Sequence, residues 1–313
     1  MKDGASTGSA RTEVEGDRIP AAIGLRLVSV ALFGTMNAVI KLAEAAGAGL
    51  VEILFFRQFG AALLITAVIA AGPGLASVRT ERMGAHLLRA AIGLAAMACF
   101  FTAIMALPLA ESTAIGFTIP IFATVLGALV LKEPTGPWRW SAVLAGFAGV
   151  LIVTQPGGDR IPLWAAGVAL LGCLLTANVS ILLRRMSRTE STGTTVFWFS
   201  ILSLPPLGLL YLFDAQAHPP LAWAYLLGIG FLGGAAQFAM TGSLRLGPVS
   251  VVVPMDYSSL IYATLLGWLL FDTLPAPATW VGAPIIIASG LVIVWREQVR
   301  RRQETRQAIG NPG

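Results

Sequence analysis

The stretch LAESTAIGFTIPIFATVLGALVL, Leu109–Leu131, is 23 residues long and holds one charged side chain, Glu111. As a helix it rises about 1.5 Å per residue, enough to cross a hydrocarbon layer of about 30 Å. Nine further apolar runs accompany it: Ala22–Ala43, Leu50–Ala71, His86–Ala106, Trp140–Thr154, Leu163–Leu183, Thr194–Phe213, Leu221–Thr241, Val249–Phe271 and Trp280–Trp295. The fifth and tenth, Trp140–Thr154 and Trp280–Trp295, are short and need flanking residues to span. Helices are the only sensible form, because lipid cannot satisfy a backbone amide and the runs are too long and too uniformly apolar for barrel strands. The composition agrees: 56% of the residues are hydrophobic and 12% charged, against about 25% charged in soluble domains.

The net charge of +5 does not point to nucleic acid, because the basic residues sit in short loops and tails. With the N-terminus inside, the even-numbered loops carry Arg79, Arg82, Lys132, Arg139, Arg184, Arg185, Arg188 and Arg245, and the odd-numbered loops only Arg160. The positive-inside rule then puts both termini in the cytoplasm. The polar segment 1–21 lacks the apolar core of a signal peptide. The basic tail 297–313 is expected to be disordered. Cys99 and Cys173 lie inside apolar runs and read as small buried hydrophobes.

The middle of the quoted stretch recurs. Ala123-Thr124-Val125-Leu126-Gly127 matches Ala263-Thr264-Leu265-Leu266-Gly267 at an offset of 140, and Pro108 matches Pro248 at the same offset. Gly149-Val150-Leu151-Ile152-Val153 matches Gly290-Leu291-Val292-Ile293-Val294, and Thr35-Met36-Asn37 matches Thr176-Ala177-Asn178, both at 141. The chain therefore reads as an all-α integral membrane protein of ten transmembrane helices in two five-helix halves, 22–155 and 163–296. An odd number of spans per half inverts the second half. Inverted repeats of this kind are a transporter architecture, in which two similar halves alternate access to a central site.

These features resemble the EamA-type transporters of the drug/metabolite transporter superfamily, from about Gly24 to Trp295. The strongest segments are Ala106-Leu107-Pro108-Leu109-Ala110, Thr118-Ile119-Pro120, Lys132-Glu133-Pro134 and Gly146-Phe147-Ala148-Gly149-Val150-Leu151-Ile152. The second half departs from the pattern, with Asp272-Thr273-Leu274-Pro275 where a glutamate is usual. The resemblance implies two EamA domains, a central cavity lined by the first four helices of each half, and a small organic metabolite as cargo. Asp256-Tyr257 and Trp295-Arg296-Glu297 look most like the subgroups that carry riboflavin or, second, S-adenosylmethionine. Export of amino acids or related metabolites stays open.

Asp256, eight residues into its run, is the first candidate for the site, since an ionisable group near the bilayer midplane is costly and normally faces a cavity or a partner. Its carboxylate can neutralise a cationic substrate group, accept a proton, or pair with an arginine as a structural bridge between helices. Tyr262 falls loosely in phase with Asp256 and Ser259, and Tyr257 adjoins them, as platforms for a planar ligand or as helix packing. Arg57 is suited to pairing with Asp256 or Glu52, to binding an anionic group, or to snorkelling outward. Asn37 and Asn178, equivalent in the repeat, either face one another or bind substrate; Gln237 and Trp198 complete the candidates. Lys41 and Glu44 suit a local ion pair, and Arg26 and Arg89 read as topology anchors.

No His/Cys/carboxylate cluster suggests a metal, and no phosphate-binding glycine loop is present, so no cofactor is expected and transport is driven by a gradient, by exchange or by facilitated diffusion. An integral-membrane enzyme, the opposing class, would need clustered acids or histidines at a membrane face. The expected partners are the bilayer of a bacterial inner membrane and a small-molecule substrate, with a homodimer left open and nucleic acid excluded.

Overall fold

The structure is a computed structural model that describes residues 19–130, 136–156, 161–186, 189–246 and 249–310. The Lys132-Glu133-Pro134 motif, Arg160, Arg188 and Pro248 lie outside the described residues, as do 1–18 of the N-terminal segment. Every regular element among the described residues is helical: α1 Ile19–Ala45, α2 Leu50–Ala71, a 3-10 turn Leu75–Val78, α3 Met83–Ala106, α4 in two pieces, Leu109–Gly116 and Ile119–Val130, α5 Pro137–Thr154, α6 Leu163–Met186, α7 Thr192–Asp214 and α8 Pro220–Leu246. Then come α9, made of Val249–Val252, a 3-10 segment Val253–Ser258 and Ser259–Phe271, and α10 Pro277–Gly310. Among the described residues, nine helices are long and apolar enough to cross a membrane, all but α9.

The helices overrun the apolar runs at their ends because flanking residues still propagate a helix once it is nucleated, Ile19-Pro20-Ala21 before Ala22 and Met83-Gly84-Ala85 before His86 among them. α1 begins at Ile19 rather than Ala22, and α3 at Met83 rather than His86. The same effect corrects the expectation of a disordered tail: α10 continues as helix to Gly310, and the Arg, Gln and Glu residues of 296–307 are good helix formers.

Two helices break, each beside a proline. Pro120 has no amide to return to Gly116, and α4 loosens at Phe117 and Thr118, where Thr118 donates to Ile115 through both its amide (3.0 Å) and its hydroxyl (2.8 Å). In α9, Pro254 lies at the start of the 3-10 segment, where a missing amide costs nothing. The two breaks touch: the Phe117 and Tyr257 rings meet edge to face, centroids 5.0 Å apart.

The chief packing partners are α1 with α8, α3 with α6, α2 with both α7 and α8, and α5 with α10. Glycines permit the closest crossings. A Cβ on Gly282 of α10 would lie 2.6 Å from the Gly149 carbonyl oxygen of α5, and one on Gly60 of α2 would lie 2.6 Å from the Gly230 backbone of α8. Helices in lipid associate through such small-residue contacts, having no hydrophobic gain to draw them together. Large apolar side chains point outward, among them Phe213, Phe231 and Leu144, as lipid contact requires.

Buried charges cap helix ends. Lys41 donates to the Ile104, Met105 and Leu107 carbonyls at 2.8–3.1 Å, closing the C-terminus of α3. The expected local pair with Glu44 gives way to this cap, and Glu44 is exposed. Glu111 accepts from the Ala276 amide (2.8 Å) and the Thr279 hydroxyl (3.2 Å) at the start of α10. Glu52 accepts from the Gly49 amide at 3.0 Å and meets His218 at 2.7 Å. At the other end of the bundle, His86 lies 3.7 Å from Glu190, which also accepts from Thr80 at 2.6 Å. Both histidines thus face carboxylates that join separate helices.

Candidate substrate site

A cavity of about 470 Å³ opens between α1, α2, α3, α4, α6, α7, α8 and α9. That volume lies in the range of about 300–1,000 Å³ usual for small-molecule sites. Its wall is mainly apolar and aromatic, with Phe33, Phe100, Phe101, Phe117 and Phe199, and carries polar groups at Ser29, Asn37, Thr113, Thr176 and Ser259. Four charged residues complete it: Arg26, Arg57, Arg89 and Asp256.

Asp256 sits in the 3-10 segment of α9, beside the Pro254 break. Its two carboxylate oxygens accept from Nε and Nη2 of Arg26 in a bidentate pair, the geometry in which guanidinium and carboxylate bind best. Arg26 is nearly buried, with 9% of its side chain exposed, whereas Asp256 keeps 39%. The partner of Asp256 is therefore Arg26 and not Arg57. Glu52, the second carboxylate expected for Arg57, is bound to His218 and Gly49 instead. Arg26 and Arg89 are corrected from topology anchors to cavity residues. Each lies deeper than its apolar run suggested, seven residues into α1 and six into α3.

Arg57 donates from Nη1 to the neighbouring Gln58 side chain, and its buried Nε has no hydrogen-bond partner. The Arg89 guanidinium lies 3.9 Å over the Phe199 ring, a cation–π stack across α3 and α7. Its Nε and Nη1 are buried without hydrogen-bond partners. Gly93, one turn along α3, leaves room for this stack: a Cβ there would lie 2.9 Å from Phe199 and 3.0 Å from Arg89.

Of the sequence candidates, Asp256, Arg57 and Asn37 line the cavity. The other five lie outside its wall. Tyr257 turns to Phe117 and places its hydroxyl against Gly290, in the space a Cβ would need. Tyr262 packs against Gly34 of α1, 3.4 Å from where its Cβ would be. Asn178 donates to Leu174 of its own helix at 3.0 Å. The Gln237 carbonyl accepts from the Thr241 hydroxyl at 2.8 Å. Trp198 donates from Nε1 to the Val78 carbonyl at 2.8 Å, tying α7 to the loop before α3. Among the described residues no group of three or more metal-ligating side chains comes together.

With this geometry in view, the chain matches the EamA-like transporter family over residues 20–155 and 163–295. It is 32% identical over 249 residues to a riboflavin transporter of Rhizobium johnstonii, an alignment covering 79% of this chain and 82% of that protein. It is 24% identical over 252 residues to an S-adenosylmethionine uptake transporter of Rickettsia bellii, covering 79% of this chain and 84% of that protein. Among solved structures, one crystal structure superposes with a TM-score of 0.58 at 18% identity, over 88% of this chain and 97% of the other, and so shares the fold.

Proposed function

The chain belongs to the EamA-like transporter family, and from that premise we propose that it carries a planar heteroaromatic metabolite by alternating access, riboflavin first and S-adenosylmethionine second. It is a multi-pass bacterial membrane protein and a transporter of a small metabolite. The observation that carries the riboflavin reading is the 32% identity to a riboflavin transporter over most of both chains. The aromatic wall of a cavity of about 470 Å³ agrees with it, because ring faces suit a flat ligand. In this reading Asp256, Arg57 and Asn37, with Arg26 and Arg89, touch the substrate; Tyr257, Tyr262, Asn178, Gln237 and Trp198 support the wall from behind.

The test is growth of a riboflavin-auxotrophic bacterium at low external vitamin. Expression of the chain is expected to restore growth. Inserted protein without a growth advantage would exclude riboflavin uptake, and labelled S-adenosylmethionine in proteoliposomes is then the next probe. Efflux in the same vesicles would identify an exporter, and turnover of a lipid with no solute flux would identify an enzyme.

The ten-span, inverted-repeat architecture is part of the proposal, with α9 as the tenth span and domains 22–155 and 163–296. Exchanging the halves maps α1–α8 packing onto α6–α3, α2–α8 onto α7–α3, and α1–α9 onto α6–α4, and all of these pairs occur. Phe117 and Tyr257, which touch, are separated by 140 positions. Equivalent residues meet one another only beside a twofold axis, which supports a pseudo-twofold through the two breaks. Broken helices flanking a central site are a recurrent device of such transporters. Both termini are proposed to be cytoplasmic in the inner membrane, and reporter fusions at Gly313 and within 157–160 are expected to report opposite sides. A C-terminal reporter active only outside the cytoplasm would overturn that orientation. The surrounding bilayer is the proposed environment, and a homodimer is compatible with it.

A further inference from the structure

Arg26, Arg57 and Arg89 bring three positive charges to the cavity and Asp256 one negative charge, a surplus of +2 among the lining residues. Arg26 and Asp256 neutralise one another. Asp256, the carboxylate of the lining, is taken by Arg26, and Nε of Arg57 with Nε and Nη1 of Arg89 are buried without hydrogen-bond partners. Guanidinium does not release its proton in proteins, so neutralisation by deprotonation is closed to both residues. Both guanidinium groups open onto the same cavity. An unpaired buried charge is costly, so this arrangement stores an affinity for whatever supplies the missing negative charge.

We propose that Arg57 and Arg89 form the seat for an acid group of the transported molecule, a carboxylate or a phosphate monoester, whose apolar ring body lies against the aromatic wall. This rests on the reading of the cavity as the site of a heteroaromatic metabolite. A neutral ring carbonyl satisfies a guanidinium donor but leaves the charge surplus in place. An anionic oxygen pair satisfies both, in the forked geometry that arginine offers. The seat is pre-formed: Phe199 holds the Arg89 plane at 3.9 Å, Gly93 leaves space for that stack, and Gln58 engages one nitrogen of Arg57. Sufficient apolar wall remains for a ring at Phe33, Phe100 and Phe117.

The experiment measures binding to the purified full-length protein in detergent, using riboflavin and riboflavin 5′-phosphate as fluorescent ligands. Benzoate and phenyl phosphate serve as flavin-free acids in thermal-shift assays. The phosphate ester is expected to bind at least about tenfold more tightly than the neutral flavin, as a charge-assisted hydrogen bond implies. Arg57→Gln and Arg89→Gln should each abolish most of that preference, weakening the phosphate ester at least about tenfold more than the neutral flavin. Arg57→Lys and Arg89→Lys keep the charge and lose the fork, and should give intermediate preferences; they replace the Gln variants should those not fold. Equal binding of the two flavins, unchanged in the variants, overturns the acid seat and leaves the flavin reading standing. If neither flavin binds, the flavin reading fails and the small acids decide. Stabilisation of the wild type by benzoate or phenyl phosphate, lost in the arginine variants, supports the seat and tells carboxylate from phosphate; no stabilisation by either overturns it.

Discussion

Asp256→Asn is expected to lower the melting temperature of the detergent-solubilised protein and to cut transport by at least about tenfold. Arg26 is 9% exposed at its side chain and gives two of its nitrogens to this one carboxylate. Asparagine keeps the shape but removes the charge and one acceptor, leaving a buried guanidinium that already has one unpartnered nitrogen, Nη1. Breaking a buried ion pair from one side costs roughly 3–5 kcal/mol, and the partial exposure of Asp256 reduces the expectation here to about 2–4 kcal/mol. The double variant Arg26→Gln with Asp256→Asn removes both charges and should regain most of the lost stability. Transport then separates two roles. If the pair only holds α1 to α9, the double variant recovers transport together with stability. If either side chain meets substrate or a coupling proton, stability returns and transport does not. A single Asp256→Asn variant with normal melting and normal flux would deny the pair both roles.

The charged lining shows where reading from sequence stops. Asp256 stands out because a lone acid in a long apolar run has no inexpensive explanation. Its partner is hidden by an edge effect. An apolar run marks where hydrophobic residues begin, whereas a helix begins where its caps allow. Arg26 stands five positions inside the run Ala22–Ala43 and has the look of an interfacial anchor, yet α1 starts at Ile19 and carries it two turns inward. Arg89 is hidden in the same way by the helical start at Met83. The signal that could have found them is that Pro20 and Gly84 stand where a helix's first turn tolerates them, which permits the helices to run back beyond the apolar edges. Pairing itself, 230 positions apart, follows from which faces of α1 and α9 meet, and periodicity in a nearly uniform apolar helix carries little of that.

Phase locates Ser259 but not Tyr262. The 3-10 segment Val253–Ser258 winds at about 3.0 residues per turn, so Ser259 stacks on Asp256 along the cavity wall. Tyr262, three residues further along an α-helix of about 3.6 per turn, falls about 60° off that line and turns to α1. Pro254 announces a disturbance, though not which form it takes. The spans, by contrast, are legible almost throughout, because hydrophobic length in a bilayer leaves the backbone little choice but helix.

Gly230→Ala is the substitution expected to damage the bundle most for its size. In an isolated helix alanine is favoured over glycine by about 1 kcal/mol, so propensity alone predicts stabilisation. Packing predicts the reverse. A Cβ at position 230 would lie 2.6 Å from the Phe56 carbonyl oxygen and 3.2 Å from the Gly60 Cα, both backbone atoms of α2 that cannot rotate aside. Helices α2 and α8 must then separate, at a cost of roughly 3 kcal/mol, the upper end of overpacking penalties. Gly228, on the same helix, has no atom within 4 Å of its added Cβ, so Gly228→Ala is the matched control and should melt at or above the wild-type temperature. The effect should also reach the cavity. Arg57 lies three residues before Gly60 on α2, and its Nε would be 3.5 Å from a Cβ on Gly233 of α8, so parting the helices withdraws its guanidinium from the wall. Flux per inserted molecule is therefore expected to fall in Gly230→Ala and to hold in Gly228→Ala. If both variants melt and transport alike, the α2–α8 crossing is slack, and the position of Arg57 is set by contacts other than this glycine pair.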